Sequence, residues 1–373
     1  MTDNLFFRLI QNAVGTADGF GPVVPSAEEW SAMYREAQKQ TLLGVCFAGV
    51  KMVCSAHPEQ AVNLPAALKM RWLGAAANIQ KRNEVMNRHC VDLQEMFDRD
   101  GMRLTTFKGQ SVAALYDEEL RGLRQAGDID VYVECGREKA LEYLRKKGID
   151  NGGWDYVHAH PMIFNDAEVE LHYRLSISHN LFKNRKIQGF WGSHVADFFA
   201  GKAELPCGEI VCPSDYIHLF YLLHHAFRHL ISGGIGLRQM MDIYFAILRR
   251  DAGMDARLMK NVNDMGMTRF ASASMWVLRT VFALPEIPSL WNADEAEGQF
   301  LLNEIMAGGN FGHGDTRFRH PTSRAGKLVE IARRNLHLLS HYESDALSAP
   351  FYYIWHFFWK RIQICRMWFR CRA

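Results

Sequence analysis

The chain lacks a surplus of either charge. Its 43 Lys and Arg stand against 41 Asp and Glu, a net +2 over 373 residues. That excludes a generally basic nucleic-acid binder and leaves only local patches. Paired cysteines are also missing. Cys46, Cys54, Cys90, Cys135, Cys207, Cys212, Cys365 and Cys371 form no C-x-x-C; Cys207 and Cys212 lie close, but no second pair completes a zinc site. Reduced thiols in a cytosolic protein are the expectation. No run of 18 apolar residues occurs, so no spanning helix is expected. The opening MTDNLFFRLIQNAVG carries an early acid and lacks the long apolar core and cleavage-like end of a secretory signal. There is no internal repeat and no low-complexity tract. What is present, 48% hydrophobic residues, is enough for a sizeable core, and the length allows two or three domains.

Helical signals fill both ends. Ser26 before AEEW is an N-cap followed by acids. Residues 65–99 carry helix formers without strand-like alternation, and Gly101 stops the run. From 102 the pattern changes. MRLTTF (102–107) reads as a strand, Lys108-Gly109-Gln110-Ser111 as a turn and VAALY as a helix opening. DIDVYVE reads as a strand and REKALEYLRKKG (137–148) as an amphipathic helix. WDYVHAHPMIF and EVELHYRL read as a hairpin around Asn165-Asp166-Ala167. PSDYIHLFYLLHHAFRHLI and GLRQMMDIYFAILRR have helical spacing. Gly308, Gly309, Gly312 and Gly314 mark a loop, and 323–342 is helical again. The predicted class is α+β, mostly helical. It divides into an N-terminal helical region (1–100), a small mixed-sheet core (101–212), a helical domain (213–310) and a helical C-terminal extension (311–373).

The chemistry concentrates in GDIDVYV (127–133). Residues i and i+2 of a strand share a face, so Asp128 and Asp130 project together while Ile129 and Val131 point into a core. Two carboxylates this close repel unless one is protonated or a cation lies between them. Oxygen ligands at this separation suit Mg²⁺ or Mn²⁺. EVELHYR puts Glu168, Glu170 and His172 on one face, and a neighbouring strand would bring one glutamate to the aspartates. Three carboxylates on adjacent strands can hold two divalent ions for in-line phosphoryl transfer. Upstream, Gly109 lets backbone N–H groups approach a phosphate, with Lys108 and Ser111 beside it and a helix N-terminus favouring an anion. A lone D-x-D is equally a solvated face or a turn; the order of the three pieces sharpens the signal.

The string FKGQSVAALYDEELRGLRQAGDIDVYV resembles the nucleotidyltransferase superfamily shared with polymerase-beta-like enzymes, which has a glycine-containing turn, a D-x-D strand and a later carboxylate strand. It is more closely similar to an uncharacterised bacterial nucleotidyltransferase-like family with an L-K-G turn, an R-x-x-G-D-I-D strand and an E-L-H strand. Here FKG stands at 107–109, RQAGDID at 124–130 and VELH at 169–172. The similarity continues through HHAFRH (224–229) and GIGLRQMMDI (234–243) and covers roughly residues 26–250. Gln110 follows Gly109 where many members carry a small residue. The resemblance implies that 101–212 is the nucleotidyltransferase core. Asp128, Asp130 and Glu170 would be the catalytic ligands of a two-metal Mg²⁺ or Mn²⁺ site, with Glu170 preferred to Glu168 because the motif is E-L-H. Lys108, Gly109, Ser111, Arg124 and Gly127 would meet the nucleotide; Arg121 and Arg124 are equally surface arginines by position alone. The implied reaction moves an NMP from an NTP such as ATP to an unidentified hydroxyl acceptor with release of pyrophosphate. That acceptor is a protein, a small molecule, a sugar or an RNA end, and near-neutral charge makes long RNA the less attractive choice.

Four further features complete the reading. His160 is expected opposite His172, as a metal pair or a polar cross-strand pair. His225 and His229 share a face at i,i+4 beside His224, and Arg238 and Asp242 do so on the next helix. They predict a polar cluster that faces the nucleotide or acceptor, or else a structural network. A metal phosphohydrolase would need an adjacent His-Asp doublet, which the sequence does not contain. The segment APFYYIWHFFWKRIQICRMWFRCRA (349–373) holds nine aromatics, five Lys or Arg and no acid. It reads as a helix packed on the core, as an interfacial helix on an anionic bilayer or as an RNA-stacking segment. The rival to an enzyme is a non-catalytic nucleotide-binding or membrane-peripheral scaffold; all three carboxylates are present, which favours the enzyme. The expected location is cytoplasmic, membrane-peripheral if 349–373 contacts a bilayer.

Overall fold

The computed structural model describes residues 4–149, 153–318 and 323–370. Three helices, α1 (Leu5–Ala13), α2 (Ala27–Lys39) and α3 (Leu43–Ala56), lead into the long α4 (Ala66–Arg99). Ser26 starts α2 by a capping box: its hydroxyl accepts from Glu29 N, and the Glu29 carboxylate accepts from Ser26 N at 2.7 Å. The sheet then begins with β1 (Leu104–Thr106) and two short helical turns, α5 (Gln110–Ala113) and α6 (Glu118–Arg121). Next come β2 (Ile129–Val133) and α7 (Gly136–Lys146), followed by the hairpin β3 (His158–Phe164) and β4 (Ala167–His172). Asn165 turns the hairpin at φ 56, a conformation asparagine tolerates well.

The strand order is β1-β2-β4-β3, with β2 and β4 parallel and the other pairs antiparallel. After α7 the chain returns as β3, which runs opposite to β2, and the hairpin at Asn165 reverses it again, so β4 lies parallel to β2. Alternation sorts the side chains. Ile129, Val131, Val133, Val169 and Leu171 join a core with residues of α4 and α7, whereas Tyr132 belongs to the larger core on the other side. Asp130, Glu170 and His172 therefore face the helical half of the molecule.

That half follows α8 (Leu181–Ser193) and a second hairpin, β5 (Gly201–Leu205) with β6 (Gly208–Cys212). It comprises α9 (Asp215–Ser232), α10 (Leu237–Arg249), α11 (Asp255–Asp264), α12 (Thr268–Phe282) and α13 (Glu295–Gly308), then α14 (Arg324–Leu338) and α15 (Glu343–Arg370). The fold is α+β and mostly helical. Residues of α1–α3 share the larger core with α9–α13, so the helices before and after the sheet enclose it together. Fully buried Trp30, Trp72 and Phe220 each remove ~150–250 Å² from water, several kcal/mol apiece.

The helix α15 is two-sided. Tyr352 is seated with Val157 and Ile177, and Trp355 and Trp359 meet Tyr156 edge-on at 5.2 and 5.0 Å. The opposite face carries Leu347, Phe351, Ile354, Phe358 and Ile362, each more than half exposed. Among the described residues, no helix is long and apolar enough to cross a membrane.

Candidate active site

The parallel register sets Asp130 directly beside Glu170. Asp128 lies one residue before β2, and carboxylate oxygens of all three lie within 4.8 Å of one another. The Lys108 ammonium rests on Asp130 Oδ1 at 2.5 Å. His172 Nε2 lies 2.9 Å from the same oxygen and 3.2 Å from Glu170 Oε2. Thus the repulsion between the aspartates is answered by a lysine from the preceding strand end. Gly109 makes this possible. It sits at φ 56, and a Cβ there would come 3.3 Å from Asp128 O, so the turn passes tightly over the aspartate loop.

The next two residues turn away. Gln110 is buried and donates to Asn83 O and the Asn87 side chain, tying the turn to α4. Ser111, expected at the nucleotide, is instead buried with its hydroxyl on Lys108 O (3.2 Å) and against His218 Nε2 (3.3 Å). One residue further along a helical turn rotates the side chain by about 100°, which aims the hydroxyl at α9.

Charges are strongly coupled here. Burial opposes ionisation of Asp130, but Lys108 and His172 outweigh it and hold the carboxyl well below its usual range. The charge of Asp130, with burial, pushes Asp128 up to about 6. Burial also opposes charge on Glu170, yet its hydrogen bond with His172 keeps it low. His172 is raised, since its two carboxylate partners overcome burial. Lys108 is raised in the same way by Asp130.

A cavity of about 550 Å³ opens above these groups, within the ~300–1,000 Å³ typical of small-molecule sites. Lys108, Gly109, Gly127, Asp128, Asp130 and Glu170 lie at one side. The helices α9 and α10 bring His225, His229, Arg238 and Asp242 to the same cavity. Arg124 also borders it, but is committed elsewhere. Its guanidinium forms a bidentate pair with Asp242 (2.7 and 2.8 Å), and Tyr116 OH donates to the same carboxylate at 2.7 Å. Arg124 O accepts from Asn83 Nδ2 at 2.8 Å. The expected nucleotide contact is therefore a buried strut that fixes the loop 124–128.

Sequence reasoning missed Arg228. It stands three residues after His225 on the same helical face, a spacing that could have revealed it. Arg228 and Arg238 meet neutral partners: Arg228 Nη2 lies 3.3 Å from His229 Nε2, and Arg238 Nη1 donates to Gln125 O at 2.9 Å. Burial and the charge of Arg124 lower Arg238, the mark of a cation short of an anion. Burial, with His229 and Arg228 respectively, holds His225 and His229 far below the usual histidine value, so both are neutral at pH 7.

The histidine pairing differs from expectation. His158, not His160, stands opposite His172, because Phe164 pairs with Ala167 across a two-residue turn and the ladder then shifts register by one residue between Ala159 and Met162. The His160 side chain lies outside the described residues. His158 Nε2 is 3.7 Å from Glu170 Oε2, and His158, Glu170 and His172 form a second group of donors within 4.8 Å of one another. Glu168 is exposed opposite Ile163, and exposed Arg121 donates to Tyr116 O. The oxygen donors of Asp128, Asp130 and Glu170 fit Mg²⁺ or Mn²⁺.

Carboxylates paired across the sheet thus face a wall that carries Arg228 and Arg238. Residues 26–283 match the family described as "Uncharacterised nucleotidyltransferase", more than half of the chain, and the chain belongs to that family. It is thus a transferase of the nucleotidyl class. No curated protein and no solved structure matches the chain.

Proposed function

We propose that the protein transfers an NMP from an NTP to a hydroxyl acceptor in a metal-dependent reaction. One observation carries the reading: Asp130 and Glu170 are register partners, with Asp128 beside them, under a wall that presents Arg228 and Arg238. In the reaction the acceptor oxygen bonds to the α-phosphorus, the bond from that phosphorus to the bridging oxygen breaks, and pyrophosphate leaves. The acceptor proton passes to a carboxylate of the triad. Asp128, Asp130 and Glu170 would hold one or two divalent ions, which when bound neutralise triphosphate charge and orient the attack. Lys108 balances Asp130 and lies at the cavity, where it faces phosphate oxygens. Arg228 and Arg238 supply the cationic partners for the β- and γ-phosphates. His225 and His229, neutral, add polar contacts without charge.

The test is incubation of cell lysate with each α-labelled NTP and Mg²⁺ or Mn²⁺. The wild-type protein should label an acceptor, and Asp128→Ala and Asp130→Ala should not. Labelling that survives both substitutions overturns the assignment.

We further propose that α15 rests on an anionic membrane surface. Its exposed stripe repeats every three or four residues, and the 349–373 segment carries five cations and no acid. Because the inner face packs on the protein, the informative variant keeps that face and replaces Phe351, Ile354 and Phe358 with Ser. It should lose flotation with phosphatidylserine liposomes that the wild type shows; equal flotation of both removes the idea.

A further inference from the structure

The glycine-marked loop after α13 is not used by the reading above, and it lies outside residues 26–283. It returns to the cavity. Gly309, Phe311 and Gly312 all take left-handed backbone, with φ 64, 53 and 74. For glycine this is free, but for a bulky aromatic it costs about 1–2 kcal/mol and persists only where the surroundings impose it. They do impose it. The loop packs backbone to backbone on the glycine turn between α9 and α10: a Cβ on Gly236 would come 2.9 Å from Asn310 Cα, and one on Gly312 would overlap Gly233 O. Gln239 Nε2 donates to Asn310 Oδ1 at 2.9 Å, and Gly314 N to Gly308 O at 2.8 Å.

The result is that the Phe311 ring borders the cavity. Among the described residues it is the only Phe, Tyr or Trp that does so. Rings lead to it along the wall, His225 to His229 at 4.3 Å and His229 to Phe311 at 4.8 Å, and the Arg238 guanidinium lies over it at 5.5 Å. An NTP placed with its phosphates between the carboxylates and the arginines must lodge its base elsewhere in the same cavity. Every base has a π-face, and an aromatic side chain is its usual platform.

We propose that Phe311 is the platform on which the nucleobase of the NTP stacks. This rests on the reading of the cavity as an NTP site. The strained loop serves to hold the ring at a fixed place, so that the base docks without ordering a mobile side chain.

Calorimetric titration of the four NTPs and of inorganic triphosphate, each with Mg²⁺, tests it. For the NTP that the wild type binds most tightly, Phe311→Ala should weaken binding roughly 5- to 150-fold, the range of one base stack. Triphosphate binding should stay unchanged, and Phe311→Trp should restore the NTP affinity. Unchanged NTP binding in Phe311→Ala overturns the proposal. Equal loss of NTP and triphosphate also overturns it, because the ring would then only support the loop. If the wild type binds triphosphate but no NTP better than it, the base has no subsite and the proposal fails alone. Binding of neither ligand removes the NTP reading of the cavity as well.

Discussion

Replacing Asp242 with Ala removes the carboxylate that holds Arg124. The two side chains are 6% and 5% exposed, so solvent screens the pair little. Two charge-assisted bonds from Arg124 disappear, and Tyr116 OH, itself buried, loses its acceptor. Breaking a buried pair from one side costs about 3–5 kcal/mol, most of it from the stranded charge. With about 2.1 cal/mol/K of unfolding entropy per residue, a chain of 373 residues should lose roughly 4–6 °C in Tm. Thermal melts followed by circular dichroism read this directly. The double variant Arg124→Met/Asp242→Leu removes both charges and should recover most of the loss, as apolar replacement of a buried pair is near neutral. A fall of about 1 °C or less for Asp242→Ala, the size expected of an exposed pair, would rule out a stranded buried charge. So would a double variant as unstable as the single one.

Three other outcomes follow. Asp128 has a folded pKa of about 6 against an ordinary 3.8, so the fold favours its protonated form. Its ionisation therefore costs stability as pH rises through that window, up to roughly 2–3 kcal/mol above it. In EDTA, Asp128→Asn should raise Tm at pH 7.5 and lose that advantage toward pH 4, and a pH-independent effect would contradict the coupling to Asp130. Gly109→Ala forces a Cβ into left-handed backbone beside Asp128 O; it should cost about 1–2 kcal/mol and weaken Mn²⁺ binding in calorimetry. Arg228→Met should weaken triphosphate binding roughly tenfold to a hundredfold, the worth of one charged hydrogen bond, with little change in Tm; unchanged affinity would show that Arg228 does not meet the phosphates.

Much of the carboxylate site was legible because strands declare themselves by period. GDIDVYV and VELH each put acid on one face and apolar residues on the other, and the only missing step was the parallel register that joins them. Ser111 was misread because the local pattern gives the turn but not the direction in which the next helical residue points. Arg124 and Asp242 pair across 118 residues, a contact that no local pattern encodes. His160 gave way to His158 through a two-residue turn, tighter than the three residues read at 165–167, and a one-residue register shift inside β3. The helix α8 carries no clear stripe, and the hairpin β5–β6, in which Lys202-Ala203-Glu204-Leu205 alternates over only four residues, also went unseen. Phe311 was hidden among glycines that read only as a loop. The 349–373 segment read as core-packed, membrane-facing or RNA-stacking; α15 packs Tyr352, Trp355 and Trp359 on the protein and leaves Phe351, Ile354 and Phe358 exposed, a division that no local pattern encodes.

Nucleotidyl transfer and phosphoryl transfer differ in which phosphate reaches the acceptor, and the position of the label separates them. An acceptor found in lysate is incubated with the protein, Mg²⁺ or Mn²⁺, and NTP labelled at either the α- or the γ-phosphate. Nucleotidyl transfer requires acceptor labelling from the α-phosphate only, stoichiometric pyrophosphate, and loss of both with Asp130→Asn. Labelling from the γ-phosphate would instead mean phosphoryl transfer and would contradict it.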